Sequence, residues 1–196
     1  ELFTGNTLLV IPLFQKEITW RRMLRNWLFV YIGNLAGSIL IAAVVVYCRQ
    51  MDLFDNGVAV SALSTAVMKC SMPFAQAFVK GILCNFLVCT AVWISFSAKD
   101  IIGKIAGLFF PIMFFVVSGF EHSVANMYFI SVGIFAKMVP EYVQAAQAAG
   151  IDLSGVTWGN FWTANLIPVT LGNIVGGAVC VGCVCWGLYL RKKTEK

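Results

Sequence analysis

Long uncharged apolar runs alternate with short basic clusters along this chain. Trp27 to Tyr47 gives 21 residues without a charge, and Gly81 to Ala98 gives another such run, whose span starts near Phe74, just after Pro73. Ile105 to Ala136 covers 32 residues and is interrupted by Gly119-Phe120-Glu121-His122-Ser123. Leu153 to Leu190 carries no charge, and its membrane part is placed from about Asn165. A bilayer-crossing helix needs roughly 20 apolar residues. The pattern therefore predicts spans at 27–47, 74–98, 105–136 (broken) and 165–190, plus a half-span, Thr7 to Phe14, within residues 1–14. All belong to one transmembrane domain over 1–196, and the fold class is an all-α membrane protein.

Composition agrees. Apolar residues make up 60% of the 196 and charged ones 12%, with a mean hydropathy of +0.84. Soluble domains carry about 25% charge, so a soluble globular enzyme is excluded. Sixteen Phe and six Trp exclude disorder as well. The net charge of +5 does not signal a nucleic-acid face, because the basic residues cluster between apolar runs.

Those clusters orient the chain. Lys16, Arg21, Arg22, Arg25, Lys99, Lys104, Arg191, Lys192, Lys193 and Lys196 fall on one side; Arg49, Lys69, Lys80 and Lys137 fall on the other. The positive-inside rule makes the richer side cytoplasmic, with the C-terminus inside a multi-pass inner (cytoplasmic) membrane protein. Trp20, Trp27 and Trp186 then fit the inner aromatic belt, and Trp158 and Trp162 the outer one.

An internal repeat organises the runs. Glu1 to Asn6 and Glu121 to Asn126 both read E-x-x-x-x-N, each followed by an apolar half-span. Asn26, Val30, Gly33, Asn34 and Gly37 match Asn165, Val169, Gly172, Asn173 and Gly176 at a constant spacing of 139. An odd number of crossings separates the copies, so they are inverted, an arrangement that puts a substrate site near the midplane at interrupted helices. The whole protein is expected to have six spans, two of them broken. This chain would start within the first broken helix, with a span and a half lying before Glu1. Gly33-x-x-x-Gly37 and Gly172-x-x-x-Gly176 are read as close helix-packing sites.

His122 is the only histidine, and with Glu121 it falls inside an apolar span. Ionisable groups at that depth are costly and mark pathways or proton relays. Glu121 and its counterpart Glu1 are read as structural residues at the helix breaks. A half-helix starts after His122 and another after Thr4, so two positive helix ends, a hydroxyl and an imidazole make a site for a small anion. Leu2, Phe3 and Phe115 supply apolar walls. A lone histidine excludes a bis-histidine haem anchor. Cys180-x-x-Cys183-x-Cys185 has no acidic or histidine neighbour and reads as packing, so no cofactor and no metal are expected.

Leu2-Phe3-Thr4, the run Phe120 to Met127 and the run Asn165 to Gly177 resemble the formate/nitrite transporter family over essentially the whole chain. The resemblance implies an aquaporin-like fold, a homopentamer with one pore per subunit, and passage of formate, nitrite or hydrosulfide; it is closest to bacterial formate and hydrosulfide channels. It also implies that Thr4 faces His122 at the pore centre and that Leu2 and Phe3 shape the cytoplasmic constriction and Phe115 the outer one. Lys69 and Asn126 then lie near the pore, Lys69 drawing anions inward. A bare anion crossing two apolar constrictions carries a large desolvation cost. His122 either gives it a proton, so that a neutral weak acid passes, or only hydrogen-bonds it. The partners are thus small monovalent anions, protons and the bilayer, and the protein is not an enzyme. Three other readings compete. A neutral-solute aquaporin-like pore lacks its paired Asn-Pro-Ala boxes here. The membrane anchor of a redox complex has too few ligands, and a gradient-driven secondary transporter is distinguished by its saturable flux.

Overall fold

The computed structural model describes residues 5–191, which are helical with no strand among them. Besides a single 3-10 turn at Gln50–Asp52, eight helical segments follow in order among the described residues: α1 Gly5–Phe14, α2 Trp20–Tyr47, α3 Gly57–Cys70, α4 Phe74–Ser97, α5 Ile101–Val117, α6 Ser123–Ala136, α7 Pro140–Ala148 and α8 Trp158–Leu190. Among the described residues α2, α4 and α8 are long and apolar enough to cross a membrane.

Local chemistry sets the boundaries. The Thr19 hydroxyl accepts the Arg22 N–H, so α2 begins seven residues before the uncharged run and carries Arg21, Arg22 and Arg25 on its first turns. Asp100 caps α5 by accepting the Gly103 N–H at 2.7 Å. Thr157 accepts the Asn160 N–H at 3.2 Å, which starts α8 at Trp158 rather than near Asn165. Wide π-helical turns at Phe161–Leu166 and Val175–Cys183 interrupt α8. The run 105–136 is two helices, α5 and α6, parted by residues 118–122. Helices α3 and α7 answer to no span in the hydropathy pattern, and α7 turns 100° away from α6.

The chain divides into two compact units. The first joins residues up to Tyr31, Phe78–His122 and the chain from Thr170. In it α1 lies on a small-residue face of α8, where Val10 packs with Met23 and Ala178, and Leu8 with Cys89 and Val181. A Cβ at Gly177 or Gly182 would collide with Thr7 or Val10, so glycine sets how near α1 comes. Helix α4 crosses α8 equally closely: side chains at Gly172 and Gly176 would meet the carbonyl oxygens of Phe78 and Ile82.

The second unit joins Ile32–Ala77 with Ser123–Val169. Its core brings together Ala42 and Val46 of α2, Ala59 and Leu63 of α3, Val132 and Ala136 of α6, and Tyr142 and Ala146 of α7. Gly133 lets α6 approach Ala66 of α3. The ammonium of Lys137 donates to the carbonyls of Leu153 (2.8 Å) and Val156 (3.3 Å) and so pins the loop before α8. Tyr142 donates its hydroxyl proton to Asp52, which also takes the Arg49 guanidinium at 3.0 Å.

Candidate functional site

The end of α5 is dictated by Gly119. Its φ of +64° is a left-handed conformation that costs glycine nothing. The Gly119 N–H bonds the Val116 carbonyl at 3.1 Å and the Phe120 N–H bonds the Phe115 carbonyl at 3.1 Å, the paired bonds of a Schellman termination. Phe115 therefore sits one turn before the break, on a helix that has stopped.

The chain beyond it is tied down. The Glu121 N–H reaches the Lys80 carbonyl at 3.4 Å. Asn173 donates from Nδ2 to the Glu121 carbonyl at 3.0 Å and to the Gly81 carbonyl at 2.8 Å. The Asn173 carbonyl in turn accepts from Asn85 Nδ2 at 2.7 Å. Asn85, Asn173 and Glu121 are all buried. Buried backbone groups outside a helix need such partners; Asn173 provides one to Glu121, and Asn85 bonds the Asn173 carbonyl behind it. His122 follows at once, half-buried, its ring 6.3 Å from that of Phe115 with the planes 36° apart.

Helix α6 starts one residue later. Its first N–H groups lack partners within the helix and carry positive partial charge. Asn126, in its opening turns, donates from Nδ2 to Asn165 Oδ1 at 2.7 Å, and Asn165 Nδ2 donates to the Lys69 carbonyl at 3.2 Å. Lys69 lies in the last turn of α3, buried, with its ammonium 5.7 Å from the Phe129 ring centroid.

The expected residues thus form two groups. Phe115, Glu121 and His122 come together in the first unit; Lys69 and Asn126 come together in the second through Asn165. Glu1, Leu2, Phe3 and Thr4 lie outside the described residues. The bridging asparagines 85, 165 and 173 were not assigned a role by sequence. The signal was present, since an amide inside an apolar run must find a partner.

The two copies of the repeat make the same bond. Asn6 Nδ2 donates to Asn26 Oδ1 at 3.4 Å in the first unit, as Asn126 does to Asn165 in the second. A family model described as formate/nitrite transporter matches residues 1–187. The chain belongs to the formate/nitrite transporter family. It is 40% identical over 194 residues to the formate channel FocA of Escherichia coli K12, an alignment covering 98% of this chain and 68% of that protein. To a probable formate transporter of Methanothermobacter thermautotrophicus it is 41% identical over 206 residues, covering 98% of this chain and 69% of the relative. Among solved structures, a pentameric formate channel with formate bound superposes with a TM-score of 0.80 at 41% identity, covering 89% of this chain and 69% of that one. An ion channel of the family superposes at 0.74 with 30% identity, covering 95% and 68%. These relatives are named as channels and transporters, not enzymes. With its long apolar helices, this family member is an integral membrane protein.

Proposed function

We propose that this protein is a channel for small monovalent weak-acid anions, with formate as the first substrate and nitrite and hydrosulfide as further ones. The observation that carries the reading is the clamped break at 118–122. Two apolar helices stop on either side of a buried glutamate and a histidine, and the backbone between them is held by amides. Such a break costs several unsatisfied backbone groups in lipid unless it lines a cavity or is paired. Relatives named as formate channels, and the pentameric one solved with formate bound, support the substrate and a homopentamer.

In this reading the N-terminal end of α6 draws the anion toward His122, and Lys69 with Asn126 polarises the outer approach. Phe115 forms the outer constriction. Glu121 holds the break, and protonation at His122 lets a neutral acid cross the apolar constriction. The protein lies in the inner membrane with its C-terminus cytoplasmic.

The architecture proposed is the aquaporin-like inverted repeat of six spans, two of them broken at corresponding places. Four observations support it. The Asn6–Asn26 and Asn126–Asn165 pairs correspond. Tyr31 and Thr170, which the repeat equates, hydrogen-bond to each other at 3.1 Å, as residues beside a two-fold axis do. Gly172 and Gly176 are covered by α4, whereas a Cβ at their counterparts Gly33 and Gly37 meets nothing described within 4 Å. Only 11% of the apolar window of α2 is buried, against 50% in α8.

The test is formate uptake into liposomes over a pH series, for wild type and His122→Asn. A proton-relay histidine predicts uptake that rises as pH falls in the wild type and loses that dependence in the variant. An unchanged pH dependence in the variant refutes the relay and leaves a hydrogen-bonding role.

A further inference from the structure

We infer that Asn165 is a positioning residue for Lys69, holding the lysine that draws the anion in at a fixed place relative to the start of α6. The inference rests on the channel reading above and names a residue which that reading does not need.

Three facts lead to it. The side-chain amide of Asn165 is fully buried and spends both ends: Nδ2 on the Lys69 carbonyl at 3.2 Å and Oδ1 on Asn126 Nδ2 at 2.7 Å. Its orientation is consequently fixed, since the amide carries its donor and its acceptor at opposite corners of one planar group. Second, the Lys69 carbonyl is among the last of α3 and has no acceptor role left inside that helix. Asn165 meets that need from another element and so sets where α3 stops. Third, Lys69 is bound to α6 at its other end too, its ammonium standing over Phe129, one turn beyond Asn126. Backbone and charge of the one lysine are thus both referred to α6, and Asn165 supplies the backbone half.

The sequence prepares this place. Asn165 falls in the wide π-helical turn Phe161–Leu166. Such turns are rare and concentrate at functional positions. In the other half of the repeat Asn26 makes the corresponding bond to Asn6. The Asn6–Asn26 pair involves no lysine, so it serves as an internal control for a bond that only holds a half-helix.

The experiment is initial formate uptake by the full-length protein in liposomes, at formate concentrations well below saturation. Losing one buried hydrogen bond of this kind corresponds to roughly a threefold to tenfold change. Asn165→Ala is expected to lower uptake by that factor, and to lower it less than twofold when made in Lys69→Gln. Asn165→Asp keeps the acceptor for Asn126, loses the amide donor to Lys69, and is expected to behave likewise; it decides the matter if the alanine variant does not fold. Asn26→Ala is expected to reduce uptake by one factor in both backgrounds. If Lys69→Gln passes no measurable formate, the Asn165→Asp deficit must shrink below twofold in 1 M salt, where the Debye length is about 3 Å. Equal losses from Asn165 substitutions in both backgrounds, or at all salt concentrations, overturn the positioning role alone. A wild type that takes up no formate overturns the functional reading and this inference with it.

Discussion

Consider Gly176→Ala at the crossing of α4 and α8. A Cβ built on Gly176 falls about 1 Å inside ordinary contact with the Ile82 carbonyl oxygen, and the Phe86 amide nitrogen stands 3.0 Å away. Both neighbours are helix backbone and have no rotamer to yield. The helices must part by about 1 Å, which forfeits a quarter to a half of the dispersion well for the atom pairs along the crossing. The Cα–H···O contact that the glycine makes in place of the Cβ, worth about 0.5–1 kcal/mol, goes as well. Overpacking of this type costs about 1–3 kcal/mol, and the better helix propensity of alanine returns at most about 1 kcal/mol. The net expectation is a loss of about 1–3 kcal/mol, read as a lower unfolding midpoint when the SDS fraction is raised in mixed micelles. A Gly176→Ala protein within 0.5 kcal/mol of wild type would refute the packing argument. Gly37→Ala is the companion measurement. A Cβ at Gly37 meets nothing within 4 Å among the described residues, so the substitution is expected to cost less than about 0.5 kcal/mol, and a loss as large as that at Gly176 would refute the packing argument.

Two further perturbations probe the loops between helices. Lys137→Met removes two charge-assisted bonds to the carbonyls of Leu153 and Val156 and should destabilise by about 1–3 kcal/mol, with faster hydrogen exchange confined to residues 151–157; a loss spread over the whole chain would contradict a local pin. The Tyr142 hydroxyl bond, aided by the Arg49 guanidinium, holds the Asp52 carboxyl below the ordinary carboxylate range. A group depressed in the folded state stabilises above its unfolded pKa and loses that contribution as pH falls through its folded pKa. The melting temperature should therefore drop below about pH 4 in wild type and drop less steeply in Asp52→Asn; equal slopes would contradict the link.

How much of this was legible in the residues depended on the element. Gly119 announced the end of α5, because only glycine enters that turn without strain. Charge misled at α2: Arg21, Arg22 and Arg25 drew the expected start inward, although long basic side chains extend from a helix into the interface as readily as from a loop. Helix α3 went unseen because Ser61, Thr65 and Lys69 interrupt its apolar run. Thr65 in fact bonds the Ser61 carbonyl at 2.9 Å within the helix, and Lys69 is buried against an aromatic ring. Helix α7 carried a start signal, Pro140 at its first position with Glu141 next, but a search for spans passes over nine polar-faced residues. At the site, the sequence repeat placed Asn126 and Asn165 in separate alignments. Only three-dimensional structure brings them to 2.7 Å and makes Asn173 the residue that holds Glu121.

The most direct measurement is stopped-flow uptake of formate and of glycerol by liposomes containing the full-length protein, with protein-free liposomes beside them. The channel reading predicts rapid formate entry that steepens as pH falls, with glycerol entry no faster than in the empty vesicles. Glycerol entry without formate entry would contradict it and leave a neutral-solute pore in its place.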